Sequence, residues 1–316
     1  MKILITPSSF KPGTAGAALE RLQSFAGTLI FNPQSRPLTE DELIPLLDGC
    51  NGCIAGLDHF TRKVIESSDS LQVISRYGTG VDNIDITASR EKKITVCRTP
   101  GVNARAVAEL TFGLLLCLAR QIPLLDRQTR EGKWARSVGI ELRQKTFGIL
   151  GLGAVGKEVS RLAAGFSMKV IACDPAVDSA YAKANGIVPV SFEELLRESD
   201  VLSLHLPLTI ETRRIISAEA MGRMKKGAVI INTARGGLLD ENAAYEILKS
   251  GELGGLGLDV YEKEPVQNSP LFELPNVVFT PHTAARTIES AAAMAELSVE
   301  NLINVLSGNA CSNIVR

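Results

Sequence analysis

The run Phe147-Gly148-Ile149-Leu150-Gly151-Leu152-Gly153-Ala154-Val155-Gly156 decides the fold. Phe147–Leu150 reads as a buried strand, the glycines follow at the spacing G-x-G-x-x-G, and Val155–Ala164 reads as a helix. Each glycine has a separate task. Gly151 permits a tight strand-to-helix turn, Gly153 lets the backbone approach a pyrophosphate with no Cβ in the way, and Gly156 lets the helix lie close to the strand. The helix N-terminus then offers unpaired N–H groups and a positive dipole end to phosphate. The next strand, Lys169–Cys173, runs into Asp174, 18 residues past Gly156. A carboxylate there accepts from both hydroxyls of an adenosine ribose and repels a 2′-phosphate. It therefore favours NAD, while NADP(H) stays open.

On both sides of this unit, short apolar strands alternate with helical stretches. Lys2–Thr6, Thr28–Phe31, Cys53–Ala55 and Val73–Ser75 read as strands separated by helices, and a second series runs from Asn103 to Phe279. That succession predicts α/β architecture with parallel sheets covered by helices on both faces. The stretch Thr287–Leu306 reads as one Ala-rich helix, long enough to pack back onto the first sheet. The expected organisation is a discontinuous domain of residues 1–98 plus 285–316 and a continuous dinucleotide-binding domain of residues 99–284.

Composition agrees. The 316 residues are 45% hydrophobic and 22% charged, with a net charge of -1, which excludes a mainly disordered chain and argues against a broad nucleic-acid surface. The first apolar run is too short for a signal-peptide core, and the longest, near Phe112–Ala119, is about half a membrane span. A soluble, cytoplasmic chain with no membrane partner is expected. Cys50-Asn51-Gly52-Cys53 has neither a second CxxC nor an HxxxH to complete a zinc site, so it reads as buried thiols and no metal is expected.

Polar residues follow apolar strands at three places: Asn232-Thr233-Ala234-Arg235-Gly236-Gly237, Asp259-Val260-Tyr261-Glu262-Lys263-Glu264-Pro265, and Thr280-Pro281-His282. The carboxyl ends of strands are where doubly wound sheets bind ligands. An Arg, a Glu and a His there suit hydride transfer. The Arg would hold a carboxylate through parallel hydrogen bonds, the His would donate a proton, and the Glu would orient the imidazole and stabilise its cation.

With Arg76-Tyr77-Gly78-Thr79-Gly80-Val81-Asp82-Asn83-Ile84-Asp85 added to these motifs, the chain resembles the D-isomer-specific 2-hydroxyacid dehydrogenases, most of all phosphoglycerate dehydrogenases. The resemblance implies a Rossmann cofactor domain and a flavodoxin-like substrate domain with an active-site cleft between them, and a homodimer formed through the cofactor domains. It implies NAD(P)-dependent reduction of a small 2-oxo acid to a D-2-hydroxy acid, with Arg235, Glu264 and His282 catalytic. The implied cofactor contacts are Gly151, Gly153, Ala154, Val155, Gly156, Asp174, His205, Pro207, Thr233, Ala234 and Asp259, joined by Thr79 and Asn103. The implied substrate contacts are Gly78 and Thr79 with Arg235.

Departures from the family pattern suggest further contacts. Ala55-Gly56-Leu57-Asp58 stands where phosphoglycerate dehydrogenases carry a phosphate-binding arginine. Asp58 would repel a phosphate and suit a neutral or cationic substrate tail. Arg76 could meet an anion, Tyr77 replaces a usually small residue, and Arg136, after Trp134, could reach a neighbouring subunit. The alanines of His282-Thr283-Ala284-Ala285 should narrow the space beside a nicotinamide. The chain stops soon after its last helix, so it reads as a short form without regulatory domains, and serine inhibition is not expected. Two other readings are reduction of 2-imino acids to D-amino acids, with basic side chains if Asp58 selects them, and a non-enzymatic NAD-sensing partner protein.

Overall fold

The computed structural model describes residues 1–315. They divide into two compact units, Met1–Asn103 with the chain from Ala285 onward, and Ala104–Ala284. The boundary lies after Asn103, whereas the sequence reading cut at residue 98. The reason is local: Thr99 donates its amide to the Gly78 carbonyl, and Thr79 Oγ1 donates to the Thr99 carbonyl and lies 3.3 Å from Asn103 Oδ1. These bonds tie 99–103 to the first unit.

The first unit holds β1 (Lys2–Ile5), β2 (Thr28–Phe31), β3 (Gly52–Ala55), β4 (Val73–Arg76) and β5 (Thr95–Cys97) in one sheet of order β2-β1-β3-β4-β5. All neighbours are parallel. Its helices are α1 (Pro12–Phe25), α2 (Glu40–Leu47), α3 (Arg62–Glu66) and α4 (Ile86–Glu91). The returning chain adds a long helix (Ile288–Leu306), numbered α12 in chain order, which buries Met294, Ala295, Val299 and Leu302 against the sheet and α1. Thr287 caps it by accepting from the Ser290 amide, so the reading of one continuous helix holds with Thr287 as its cap.

The second unit begins with α5 (Ala104–Arg120) and α6 (Ile122–Arg130). Its strands are β6 (Thr146–Leu150), β7 (Lys169–Cys173), β8 (Val188–Pro189), β9 (Val201–Leu204), β10 (Val229–Asn232), β11 (Gly255–Leu258) and β12 (Val277–Phe279). They form one parallel sheet of order β12-β11-β10-β9-β6-β7-β8. The connecting helices are α7 (Ala154–Gly165), α8 (Ser179–Ala184), α9 (Phe192–Glu198), α10 (Ala218–Gly222) and α11 (Glu241–Lys249). Strands β9, β10 and β11 are buried along their whole length, as parallel strands covered on both faces must be. A Cβ on Gly148 of β6 would lie 2.0 Å from Ser199 Oγ, so glycine there lets the strand and the end of α9 touch.

The sheet order reverses once in each unit, beside β1 and β3 in the first and beside β6 and β9 in the second. Such switch points open a crevice at the carboxyl ends of the strands.

Candidate active site

At the switch point of the second unit, Gly151 has φ +101°, and a Cβ on it would come within 2.8 Å of the His205 carbonyl at the end of β9. A Cβ on Gly156 would lie 2.2 Å from the Gly151 carbonyl oxygen. These two glycines let β6, β9 and α7 meet. Gly153 is different: a Cβ there would meet nothing within 4 Å, and no side chain caps the helix that it begins. The space and the uncapped N–H groups fit a pyrophosphate. Asp174 is fixed beside the turn, its Oδ2 accepting from the Leu152 amide at 2.7 Å and its Oδ1 from the Ala176 amide at 2.7 Å. Each oxygen keeps a lone pair for a ribose hydroxyl. Ala154 and Val155 form the first turn of α7.

His205 Nε2 lies 2.8 Å from Ser203 Oγ. Burial holds its imidazole down at about 3, so it is neutral at working pH and unsuited to acid–base duty. Pro207 is exposed, and its carbonyl accepts from Thr212. Thr233 is buried. Its hydroxyl pairs with Thr111 of α5 at 3.0 Å in a buried contact, which leaves Ala234 as the half-buried residue of that turn.

The three polar loops follow β10, β11 and β12, which are neighbours in the sheet, so their carboxyl ends adjoin. Asn232, fully buried, shapes the first loop: its Oδ1 accepts from the Ala234 amide and its Nδ2 donates to the Arg235 carbonyl. Arg235 is half-buried, with Nη1 donating to the Ala234 carbonyl. Gly236 then touches the second loop, where a Cβ would fall 1.8 Å from the Tyr261 carbonyl carbon. The sequence marked Gly236 only as part of a motif; its close approach is what sets Arg235 beside the Glu264 loop.

Glu264 is held at both oxygens. Oε1 accepts from the Tyr261 amide at 3.1 Å, and Oε2 lies 2.7 Å from His282 Nδ1. The His282 and Glu264 side chains are 30% and 33% exposed. A carboxylate on Nδ1 fixes the tautomer with its proton there, leaving Nε2 to exchange a proton with a ligand. His282 itself has φ +49°, a left-handed conformation uncommon for a residue with a side chain.

Asp259 holds that turn. Its Oδ1 accepts from Thr280 Oγ1 and the Thr283 amide, its Oδ2 accepts from the Ala284 amide, and the His282 amide donates to the Asp259 carbonyl. The residue is 0% exposed. Both Asp259 oxygens thus hold the turn that carries His282. Ala284 is likewise buried.

In the first unit, the turn after β4 carries Gly78 and Thr79. The amides of Thr79 and Gly80 bond to no acceptor among the described residues, as an anion-accepting turn requires. Three expected substrate contacts are corrected. Arg76 is buried, and its Nη1 donates to the Tyr77 and Ala55 carbonyls directly beneath Gly78. Tyr77 is buried against Phe10, and its hydroxyl donates to the Ala291 carbonyl of α12. Asp58 is 1% exposed and accepts from Thr6 Oγ1 and the Leu38 amide. Polar groups inside a folded unit are held by partners around them, as Tyr77 and Asp58 are here. Asn103, whose Oδ1 lies 3.3 Å from Thr79 Oγ1, ends the first stretch of this unit. Arg136 is exposed in the second unit, close to Trp134.

A cavity of about 250 Å³ lies between α5, α6 and β12, lined by Cys117, Pro123 and Val278 among others. None of the site residues lines it. Among the described residues no cluster of His, Cys, Asp or Glu is arranged to hold a metal, and no single helix is long and apolar enough to cross a membrane.

Residues 112–284 match the family described as D-isomer specific 2-hydroxyacid dehydrogenase, NAD binding domain. The chain is 42% identical over 282 residues to the D-3-phosphoglycerate dehydrogenase of Methanocaldococcus jannaschii, covering 88% of this chain and 54% of that protein. It thus spans about half the length of such relatives. The glyoxylate reductase of Korarchaeum cryptofilum is 38% identical over 287 residues, 88% of this chain and 86% of that one. Among solved structures, acyclic imino acid reductase Bsp5, in complex with NADPH and D-Arg, superposes with a TM-score of 0.88 at 30% identity, covering 100% of both chains. The glycine turn, the paired Glu264 and His282, and these likenesses over nearly the whole chain lead to one assignment: the chain belongs to the D-isomer-specific 2-hydroxyacid dehydrogenases.

Proposed function

We propose that the chain reduces a small, unphosphorylated 2-oxo acid to a D-2-hydroxy acid. The observation that carries this reading is the Glu264–His282 pair at 2.7 Å, past the ends of β11 and β12, with Arg235 past the end of the adjoining β10. Bound at Gly151–Gly156 and Asp174, a nicotinamide dinucleotide supplies the hydride. Arg235 holds the substrate carboxylate by charge-assisted hydrogen bonds and polarises the neighbouring carbonyl. His282 delivers a proton from Nε2 to the carbonyl oxygen, and Glu264 stabilises the imidazolium before that transfer. Asp259 keeps the His282 turn in place. Asp174, with no arginine beside it, favours NADH over NADPH.

Burial of Arg76 removes one candidate for a phosphate contact, which supports an unphosphorylated substrate. The relatives named glyoxylate reductase and hydroxypyruvate reductase point the same way. Likeness to the imino acid reductase favours a second reading, reduction of a 2-imino acid. Asp58, which would have selected a basic tail for it, is buried.

The test is consumption of NADH and NADPH with glyoxylate, hydroxypyruvate, 3-phosphohydroxypyruvate and oxo acids with basic tails, each with and without ammonium. Ammonium-independent turnover of an unphosphorylated oxo acid, faster with NADH, is the expected result. Turnover only with ammonium would transfer the assignment to the imine reading. A homodimer through the cofactor unit is also proposed. Its support is exposed apolar surface: α6 buries none of its residues, and Trp134 and Val138 are 82% and 92% exposed. Light scattering of the eluted protein would measure it.

A further inference from the structure

Two cysteines that take no part in this chemistry face each other in the first unit. Cys97 ends β5, and Cys311 lies in the tail beyond α12, 214 residues away in sequence, yet their sulfurs are 3.7 Å apart. The approach is built by the surrounding backbone. The tail runs antiparallel along β5, with Cys97 opposite Ile314. The Val315 amide donates to the Val96 carbonyl at 2.8 Å, and the Arg98 amide donates to the Asn313 carbonyl at 3.1 Å.

Asn301 of α12 holds the corner. It is 2% exposed, its Nδ2 donates to the Arg98 carbonyl, and its Oδ1 accepts from Asn313 Nδ2 and from the Cys311 thiol. The two cysteines therefore sit on the two separate stretches of chain that make up this discontinuous unit.

We propose that Cys97 and Cys311 are an oxidation site that closes to a reversible disulfide under a peroxide. A disulfide needs its sulfurs about 2.05 Å apart, so the pair must close from 3.7 Å, and the less buried Cys311 is the side chain with room to move. The Cys311 sulfur attacks a peroxide oxygen, the O–O bond breaks, water leaves and a sulfenic acid remains. The Cys97 sulfur then displaces that hydroxyl as a second water. Two thiols and one hydrogen peroxide give one disulfide and two waters. Cys311 acts first because it is half-buried, whereas Cys97 is fully enclosed and its thiol is pushed well up by that burial and by its neighbour.

The bond would staple the tail to β5, two residues before Thr99, whose backbone holds the Gly78–Thr79 turn. Linking positions so far apart in sequence restricts the unfolded chain strongly, so oxidation should raise the unfolding temperature.

The experiment uses the whole protein. It is treated with hydrogen peroxide, unfolded with an alkylating agent present, digested without reduction and analysed by mass spectrometry. The expected result is a Cys97–Cys311 linked peptide pair lighter by two hydrogens, together with an unfolding temperature raised by several degrees, both reversed by dithiothreitol. Cys311→Ser, which leaves the reduced unit otherwise intact, should abolish both changes. Alkylation of both cysteines after treatment, oxidation of Cys311 to sulfinic acid without a cross-link, or a link between Cys50 and Cys53 instead would each overturn the proposal.

Discussion

Each sheet reverses its strand order once, and the two switch points are furnished in opposite ways. In the second unit the crevice beside β6 and β9 is lined by Gly151, by Gly153 with open space where its side chain would be, and by a helix that no side chain caps. In the first unit the corresponding place beside β1 and β3 is filled by its own polar groups. Thr6 Oγ1 donates to Asp58 and accepts from the Gly56 amide, and Asp58 also takes the Leu38 amide. A switch point binds a ligand when its donors are left unspent. Where they are satisfied internally it becomes part of the core. After β4 of the first unit, the Thr79 and Gly80 amides have no acceptor among the described residues.

Substitutions can break or sharpen this contrast. The largest effect is expected in the second unit from His282→Ala, which removes the proton donor. The turnover number should fall by about 10²–10⁴-fold while NADH binding, followed by fluorescence, changes little. Unchanged turnover would take the chemistry away from these strand ends.

Gly236→Ala comes next. The new methyl would lie 1.8 Å from the Tyr261 carbonyl carbon, so the Arg235 and Glu264 loops must part. Overpacking of this kind costs about 1–3 kcal/mol or more, read as a lower unfolding temperature together with lost turnover. Gly153→Ala is its counterpart. Its methyl meets nothing within 4 Å, so stability should move by less than about 0.5 kcal/mol while NADH binding weakens.

Asp58→Asn probes the closed switch point. Replacing a buried acceptor with a partial donor should cost about 1–3 kcal/mol in urea unfolding and leave the preference between anionic and cationic substrate tails unaltered. A changed preference at full stability would restore Asp58 as a specificity residue and erase the contrast.

The smallest effect concerns pH. The His205 imidazole is held at about 3 in the folded chain against 6.5 when free. Between those values the unfolded chain binds a proton that the folded chain does not, so stability falls as pH drops from about 6.5 toward 3 and is unaffected above that range. His205→Gln should flatten that acid limb, measured as the slope of unfolding free energy against pH, with no change near neutrality.

How far the sequence could be read depended on what each residue was bonded to. The unit β6–Gly151–α7–β7–Asp174 was legible because its glycines and its acid answer to backbone geometry, which is local. Arg235, Glu264 and His282 could be picked out because each follows an apolar strand, and β10, β11 and β12 are neighbours in the sheet. Helices α4, α6 and α8 went unread. In α6 the start is hidden by the left-handed Gln121 and by Pro123, and no residue is buried to give it an apolar stripe. Arg76, Tyr77 and Asp58 were misjudged because a polar side chain near a motif looks the same in sequence whether it points out or folds under its own loop.

Alternating apolar strands and helices, with a glycine-rich turn and a following acid, are enough on their own to specify two parallel sheets, a nucleotide turn and the strand ends that carry the polar residues. Those features depend on periodicity and backbone conformation, which neighbouring residues encode. Tertiary structure decided the rest: that Asp259 holds the His282 turn, that Gly236 lets two loops touch, that Asp58 is satisfied and Arg76 buried inside the first unit, and that Cys97 meets Cys311. Each depends on a donor and an acceptor, or on two surfaces, brought together from distant parts of the chain, and only folding selects which of the possible partners a polar group receives.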